Sequence, residues 1–102
     1  MPAYVKVAKS SEIQPGTAKQ IEAGGKQIAL FNIDGTFHAM DDVCTHRGGP
    51  FSEGILVGAE VTCPWHGAVF DVTTGDVISP PAPHGVAIYV VRIAGEDVEV
   101  EI

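Results

Sequence analysis

Short stretches in which apolar and polar residues alternate are separated by clusters of Gly, Pro and Asp, and no segment sustains three turns of helical periodicity. That pattern predicts an all-β chain. Tyr4 to Lys9 (YVKVAK) places Val5 and Val7 on one face of a strand. The turn-rich SSEIQPG follows, with Ser11 placed to cap a single helical turn before Pro15-Gly16. Thr17 to Glu22 and Lys26 to Ile33 flank Gly24-Gly25, and Asp34-Gly35 separates LFNI from TFHAM. Both pairs are two-residue hairpin signals, because such turns need positive φ.

From Val43 to Gly67 the strand-like runs shrink to Ile55 to Val57 and Glu60 to Thr62, while Cys, His, Gly and Pro gather. Loops of this kind carry chemistry. Extended pattern resumes at Val69 to Val72, and a turn follows at Thr73 to Asp76. Ser79 to Gly85 (SPPAPHG) contains three prolines, which remove ladder donors, so it is read as a stiff surface loop. The apolar run VAIYVVRI, a turn at Ala94 to Glu96 and the strictly alternating DVEVEI close the chain.

A length of 102 residues with 45% hydrophobic content predicts one globular domain, residues 1–102, with a single ordinary core. The longest apolar stretches are a few residues, far short of the ~20 that a membrane helix needs. The first residues, MPAYVKVAKSSE, lack the charged and apolar regions of a secretory signal, so a cytoplasmic location is expected. A net charge of −7 argues against nucleic-acid backbones and anionic lipid surfaces, both of which repel an acidic protein. Protein or neutral small-molecule partners remain.

Both cysteines and two of the four histidines fall in two short segments, Cys44-Thr45-His46 and Cys63-Pro64-Trp65-His66, sixteen residues apart. A single cysteine or histidine is usually inert packing or surface. Four in two Gly-containing loops are a ligand set, one thiolate and one imidazole from each loop, suited to zinc or to an iron–sulfur centre. Zinc fingers usually pair Cys with Cys and His with His, so mixed loops match them poorly. A [2Fe–2S] centre of Rieske type takes two Cys on one iron and two His on the other, which the alternating loops satisfy. His38 and His84 are read as packing or surface residues.

CTHRGG and CPWHGAVFD resemble the two cluster loops of Rieske proteins, and IALFNIDGTFHAMDDVCTH followed by FSEG is similar to the ferredoxins of bacterial ring-hydroxylating dioxygenases. The resemblance covers nearly the whole chain. It implies the Rieske fold of stacked antiparallel β-sheets with a cluster-binding subdomain at one tip, its loops at about residues 43–50 and 63–71 and a Pro loop at 79–85 shielding the side. It further implies that Cys44 and Cys63 bind the inner iron and His46 and His66 the outer iron through Nδ1, so the cofactor is one [2Fe–2S] cluster. Gly48, Gly49 and Gly67 would let the backbone pass close to the cluster.

The implied function is that of a one-electron carrier without catalytic residues, accepting from a flavin-containing reductase and donating to a terminal aromatic-ring-hydroxylating oxygenase. Trp65 and Arg47 are candidates for contact with those partners. The length leaves no room for the two-His, one-carboxylate iron domain that an oxygenase needs. Three alternatives share some of these features: the small Rieske-like subunit of an assimilatory nitrite reductase, a carrier to a diiron monooxygenase, and a structural zinc module in an interaction protein. Respiratory Rieske proteins, which the chain also resembles, have a further Cys in each loop and nearby Ser and Tyr hydroxyls. This chain has Gly49, Trp65, Ala68 and Phe70 instead. Without those donors, a potential nearer to about −150 mV than to +300 mV is expected.

Overall fold

A computed structural model describes residues 3–43, 50–65, 67–79 and 85–102. Its eleven strands are β1 (Tyr4–Lys9), β2 (Thr17–Ala23), β3 (Lys26–Ile33), β4 (Thr36–Asp41), β5 (Ile55–Val57), β6 (Glu60–Thr62), β7 (Val69–Asp71), β8 (Val77–Ser79), β9 (Ile88–Tyr89), β10 (Val91–Ala94) and β11 (Asp97–Glu101). Two single 3-10 turns, Ser10–Glu12 and Phe51–Glu53, complete the regular structure of the described residues. All pairings are antiparallel, in three sheets ordered β1-β11-β10, β2-β3-β4-β9 and β5-β6-β7-β8. The expected all-β fold of stacked antiparallel sheets is what the chain adopts.

The hairpins form where the turn chemistry demands them. Ala23 pairs with Lys26 across Gly24 (φ 59°) and Gly25 (φ 77°), and Ile33 pairs with Thr36 across Asp34 (φ 51°) and Gly35 (φ 91°). Positive φ at both central residues gives the twist that antiparallel strands require. The strand between these turns, β3, is buried on both faces, which explains its continuous apolar run. Ile28 and Leu30 enter one core with Ile21, Ala39, Val98 and Val100. Ala29 and Phe31 enter the other with Met40, Phe51, Val61, Cys63, Ala68, Phe70 and Val72. The second, upper core joins the middle sheet to β5–β8 and lies beneath the described roots of the two predicted ligand loops; the first is the lower core.

Three local expectations change. Ser11 is not a cap; the 3-10 turn Ser10–Glu12 is instead closed by Glu12, whose carboxylate accepts the Lys9 N–H at 3.1 Å and pairs with Lys19 at 2.9 Å. Val77–Ser79 forms the short strand β8 between the predicted turn and the Pro loop. VAIYVVRI is broken at Val90: Ile88 pairs with Met40 of the middle sheet, whereas Val91 pairs with Val100 of the outer one. Alternation has the same period in either sheet, so the pattern does not reveal such a crossing. No helix among the described residues is long and apolar enough to cross a membrane.

Tyr89 fastens β9 to β4 by donating its hydroxyl hydrogen bond to Asp41. Burial first, and then this bond to a carboxylate, push the Tyr89 hydroxyl from 10.0 up to about 12. The folded chain therefore holds a proton that the unfolded chain releases, and stability falls as pH rises from about 10 towards about 12. Urea midpoints should drop across that window in the wild-type protein and drop less in Tyr89→Phe. Equal slopes for the two proteins would contradict the assignment.

Candidate metal centre

The β6 and β7 strands form a hairpin whose connection carries the second predicted ligand loop. Cys63 is 2% exposed at the end of β6. Its N–H donates to the Ala68 carbonyl at 2.8 Å, and its own carbonyl accepts the Gly67 N–H at 3.1 Å. These two bonds close a tight turn at Cys63, and Gly67 sits at φ 76°, where an L side chain would be strained. Trp65 stands out from this loop with 57% of its surface exposed.

The first predicted loop is bracketed by described residues on both sides. On the near side Asp42, 1% exposed, follows directly from β4. On the far side the 3-10 turn Phe51–Glu53 is held by Phe51, whose ring meets Phe70 edge-on at 4.7 Å, and by Ser52, whose N–H donates to Asp42 Oδ1 at 2.7 Å. Gly54 then lies so close to the end of β6 that an added Cβ would sit 2.2 Å from the Thr62 carbonyl oxygen. The peptide that Gly54 touches leads into Cys63. Both loop roots thus meet on one apolar floor made by Phe51, Cys63, Ala68 and Phe70.

Of the four predicted ligands, Cys63 is described; Cys44, His46 and His66 lie outside the described residues, as do Arg47, Gly48, Gly49, His84 and most of the Pro loop. Cys63 is a free buried thiol among hydrocarbon side chains, and its sulfur makes no hydrogen bond within the described residues. A soft, dry sulfur donor at the root of a tight loop fits an iron–sulfur cluster. Ala68 and Phe70 are both fully buried and supply no hydroxyl beside it. No other group of three or more His, Cys, Asp or Glu that could hold a metal occurs among the described residues. His38 is half-buried on β4 opposite Phe31, as expected of a packing histidine.

The Pro segment is fixed at both of its described ends. Ser79 pairs with Val69, and the Val86 N–H donates to the Gly75 carbonyl at 2.8 Å.

Asp42, Ser52 and Gly54 were not evident as site residues in the sequence pattern. The available signal was parity: Asp42 is two residues beyond Met40, which faces the upper core, so continued alternation turns Asp42 inward while Asp41 turns towards Tyr89.

Charge is unevenly distributed around this frame. Lys6–Asp97, Lys19–Glu12 and Arg92–Glu99 pair at 3.3, 2.9 and 2.6 Å, all on β1, β2, β10, β11 or the first 3-10 turn. Between Pro50 and Ser79 the sequence has no Lys or Arg, but holds Glu53, Glu60, Asp71 and Asp76. Asp71 accepts both the hydroxyl and the N–H of Thr73, which holds its carboxyl below the usual carboxylate range.

The model of the Rieske [2Fe-2S] domain matches residues 3–90. The biphenyl dioxygenase ferredoxin subunit of Pseudomonas sp. (strain KKS102) is 40% identical, the match covering 96% of this chain and 91% of that protein. Among solved structures, a chain from the complex of reduced oxygenase and oxidized ferredoxin in carbazole 1,9a-dioxygenase superposes with a TM-score of 0.90 at 34% identity, over 95% of this chain and 91% of that one. A nitrite reductase small subunit superposes at 0.82 over 96% of this chain and 97% of that one, but at 21% identity, a likeness of fold alone. Together with the buried thiol at the root of its second loop, these matches show that the chain belongs to the Rieske [2Fe-2S] domain family, whose cluster is its cofactor.

Proposed function

We propose that this protein is the ferredoxin of an aromatic-ring-hydroxylating oxygenase system, a one-electron carrier that takes electrons from a flavin-containing reductase and passes them to the terminal oxygenase. The observation that carries the reading is the 40% identity to a dioxygenase ferredoxin subunit along 91% of that subunit. The nitrite reductase alternative has a likeness of fold alone in its support. We read residues 1–102 as one domain acting in the cytoplasm, where thiols stay reduced and available to iron.

Cys44 and Cys63 are the proposed thiolate ligands, and His46 and His66 the imidazole ligands, each loop giving one of each. When bound, the cluster supplies storage for a single electron, with two neutral imidazoles replacing two thiolates and so lowering the cost of added negative charge. The chain's own residues set the conditions. Cys63 keeps its sulfur out of water at the root of the loop, and Ala68 and Phe70 offer hydrocarbon rather than hydroxyl donors. Trp65 gives a partner an exposed aromatic contact beside the second loop. The acids between Pro50 and Ser79, which form no ion pair among the described residues, favour a partner with a basic docking surface.

Two outcomes test this reading. Purified protein added to a reductase and a terminal dioxygenase should restore turnover of an aromatic substrate, and the rate of electron transfer should fall as salt rises; no transfer to any such oxygenase would contradict the role, and a salt-independent rate would contradict steering. Cys63→Ser and His66→Ala should each abolish the visible spectrum of the native cluster, since each removes a donor from iron. Retention of the native spectrum in either variant would overturn that ligand.

A further inference from the structure

Asp42 is a buried carboxylate outside the proposed ligand set. It is 1% exposed, and among the described residues its carboxylate accepts three hydrogen bonds. Ser52 N–H donates to Oδ1 at 2.7 Å, Ser52 Oγ donates to Oδ2 at 2.6 Å, and Gln20 Nε2 donates to Oδ2 at 2.8 Å. Its backbone N–H donates to the Gln27 carbonyl at 3.1 Å, which continues the seam between the middle strands past the end of β4. No Lys or Arg is paired with it among the described residues.

Such a group is an expensive way to stabilise a fold. A buried charge loses its hydration, and an apolar side chain of similar size in the same place commonly leaves a protein as stable or more so. What the carboxylate adds is direction. It joins residue 42 to residue 52, ten positions apart, and so fixes the two ends of the segment that contains Cys44 and His46. Ser52 itself sits between two contacts with the root of the other loop, Phe51 on Phe70 and Gly54 against the Thr62 carbonyl. Gln20 adds a tie to β2 in the middle sheet.

We propose that Asp42 is a positioning residue for the cluster: by accepting two hydrogen bonds from Ser52 it closes the first ligand loop and holds it in register with the second. This rests on the reading that Cys44 and His46 are ligands. A tie between residues 42 and 52 lowers the loop entropy that the cluster would otherwise have to overcome.

The test uses the cluster-loaded protein and five variants, Cys44→Ser among them. Asp42→Ala removes both acceptor oxygens and with them all three hydrogen bonds, Ser52→Ala removes one donor, and Asp42→Asn keeps an acceptor for the Ser52 N–H. Val98→Ala, in the lower core, controls for general loss of stability. Release of the cluster to a chelator, well below each unfolding midpoint, is followed by visible circular dichroism, and the reduced state by EPR line shape. Asp42→Ala should release the cluster at least about tenfold faster with a broadened EPR signal, the scale on which partners of metal ligands act. Ser52→Ala should fall between it and wild type, Asp42→Asn should stay near wild type, and Val98→Ala should leave both readouts unchanged. Wild-type behaviour of Ser52→Ala in both readouts overturns the proposal, even if Asp42→Ala cannot be loaded. Equal acceleration by Val98→Ala overturns it as well. Cys44→Ser separates the two readings: native cluster in that variant defeats the ligand assignment, whereas cluster loss there beside wild-type Asp42 and Ser52 variants defeats positioning alone.

Discussion

Phe51 and Phe70 meet edge-on at 4.7 Å between ring centroids, both fully buried, one just after the first predicted ligand loop and one on β7 at the end of the second. A centre assembled from two loops needs its loops rooted in something that does not move, and this aromatic contact provides it. Cys63 and Ala68 lie in the same core, so the second loop rises from the floor on which the first one ends. Gly54 brings the backbones together where any side chain would meet the Thr62 carbonyl. Close-packed interiors transmit small displacements rather than absorb them, which makes such a floor a suitable base for metal ligands.

Below that floor the molecule is arranged to be rigid. The β3 strand is apolar on both faces and separates two cores, and its two flanking hairpins are closed by turns with positive φ at both central positions. Among the described residues the ion pairs gather on the outer sheet, β2 and the first 3-10 turn, away from β5–β8. The stretch between Pro50 and Ser79, which includes one of the predicted ligand loops, holds four acids and no Lys or Arg. The sheets fold this small protein, and the acidic stretch between Pro50 and Ser79 is the surface proposed to meet its partners.

The hairpins at Gly24-Gly25 and Asp34-Gly35 were legible because few residues adopt positive φ, and those that do announce the turn. The proposed ligand set is read from Cys and His that are scarce and unusually spaced. Other features depend on tertiary context that a linear pattern does not carry. The crossing at Val90 leaves the alternation of the run unbroken, and β8 is three residues long. Asp42 reads as one of two adjacent solvated acids until its parity with Met40 is followed into the core. Gly54 shows its purpose only once β6 lies against it. The placement of Cys44, His46 and His66 lies outside the described residues, so their role rests on spacing and resemblance together with the geometry of the roots around them.

Metal and sulfide content of the purified chain, combined with EPR of its reduced state, tests the central claim most directly. Two iron atoms and two acid-labile sulfides per chain, a visible chromophore and a single-electron EPR signal of Rieske type are the predicted result. A colourless protein holding one zinc and no sulfide would contradict it.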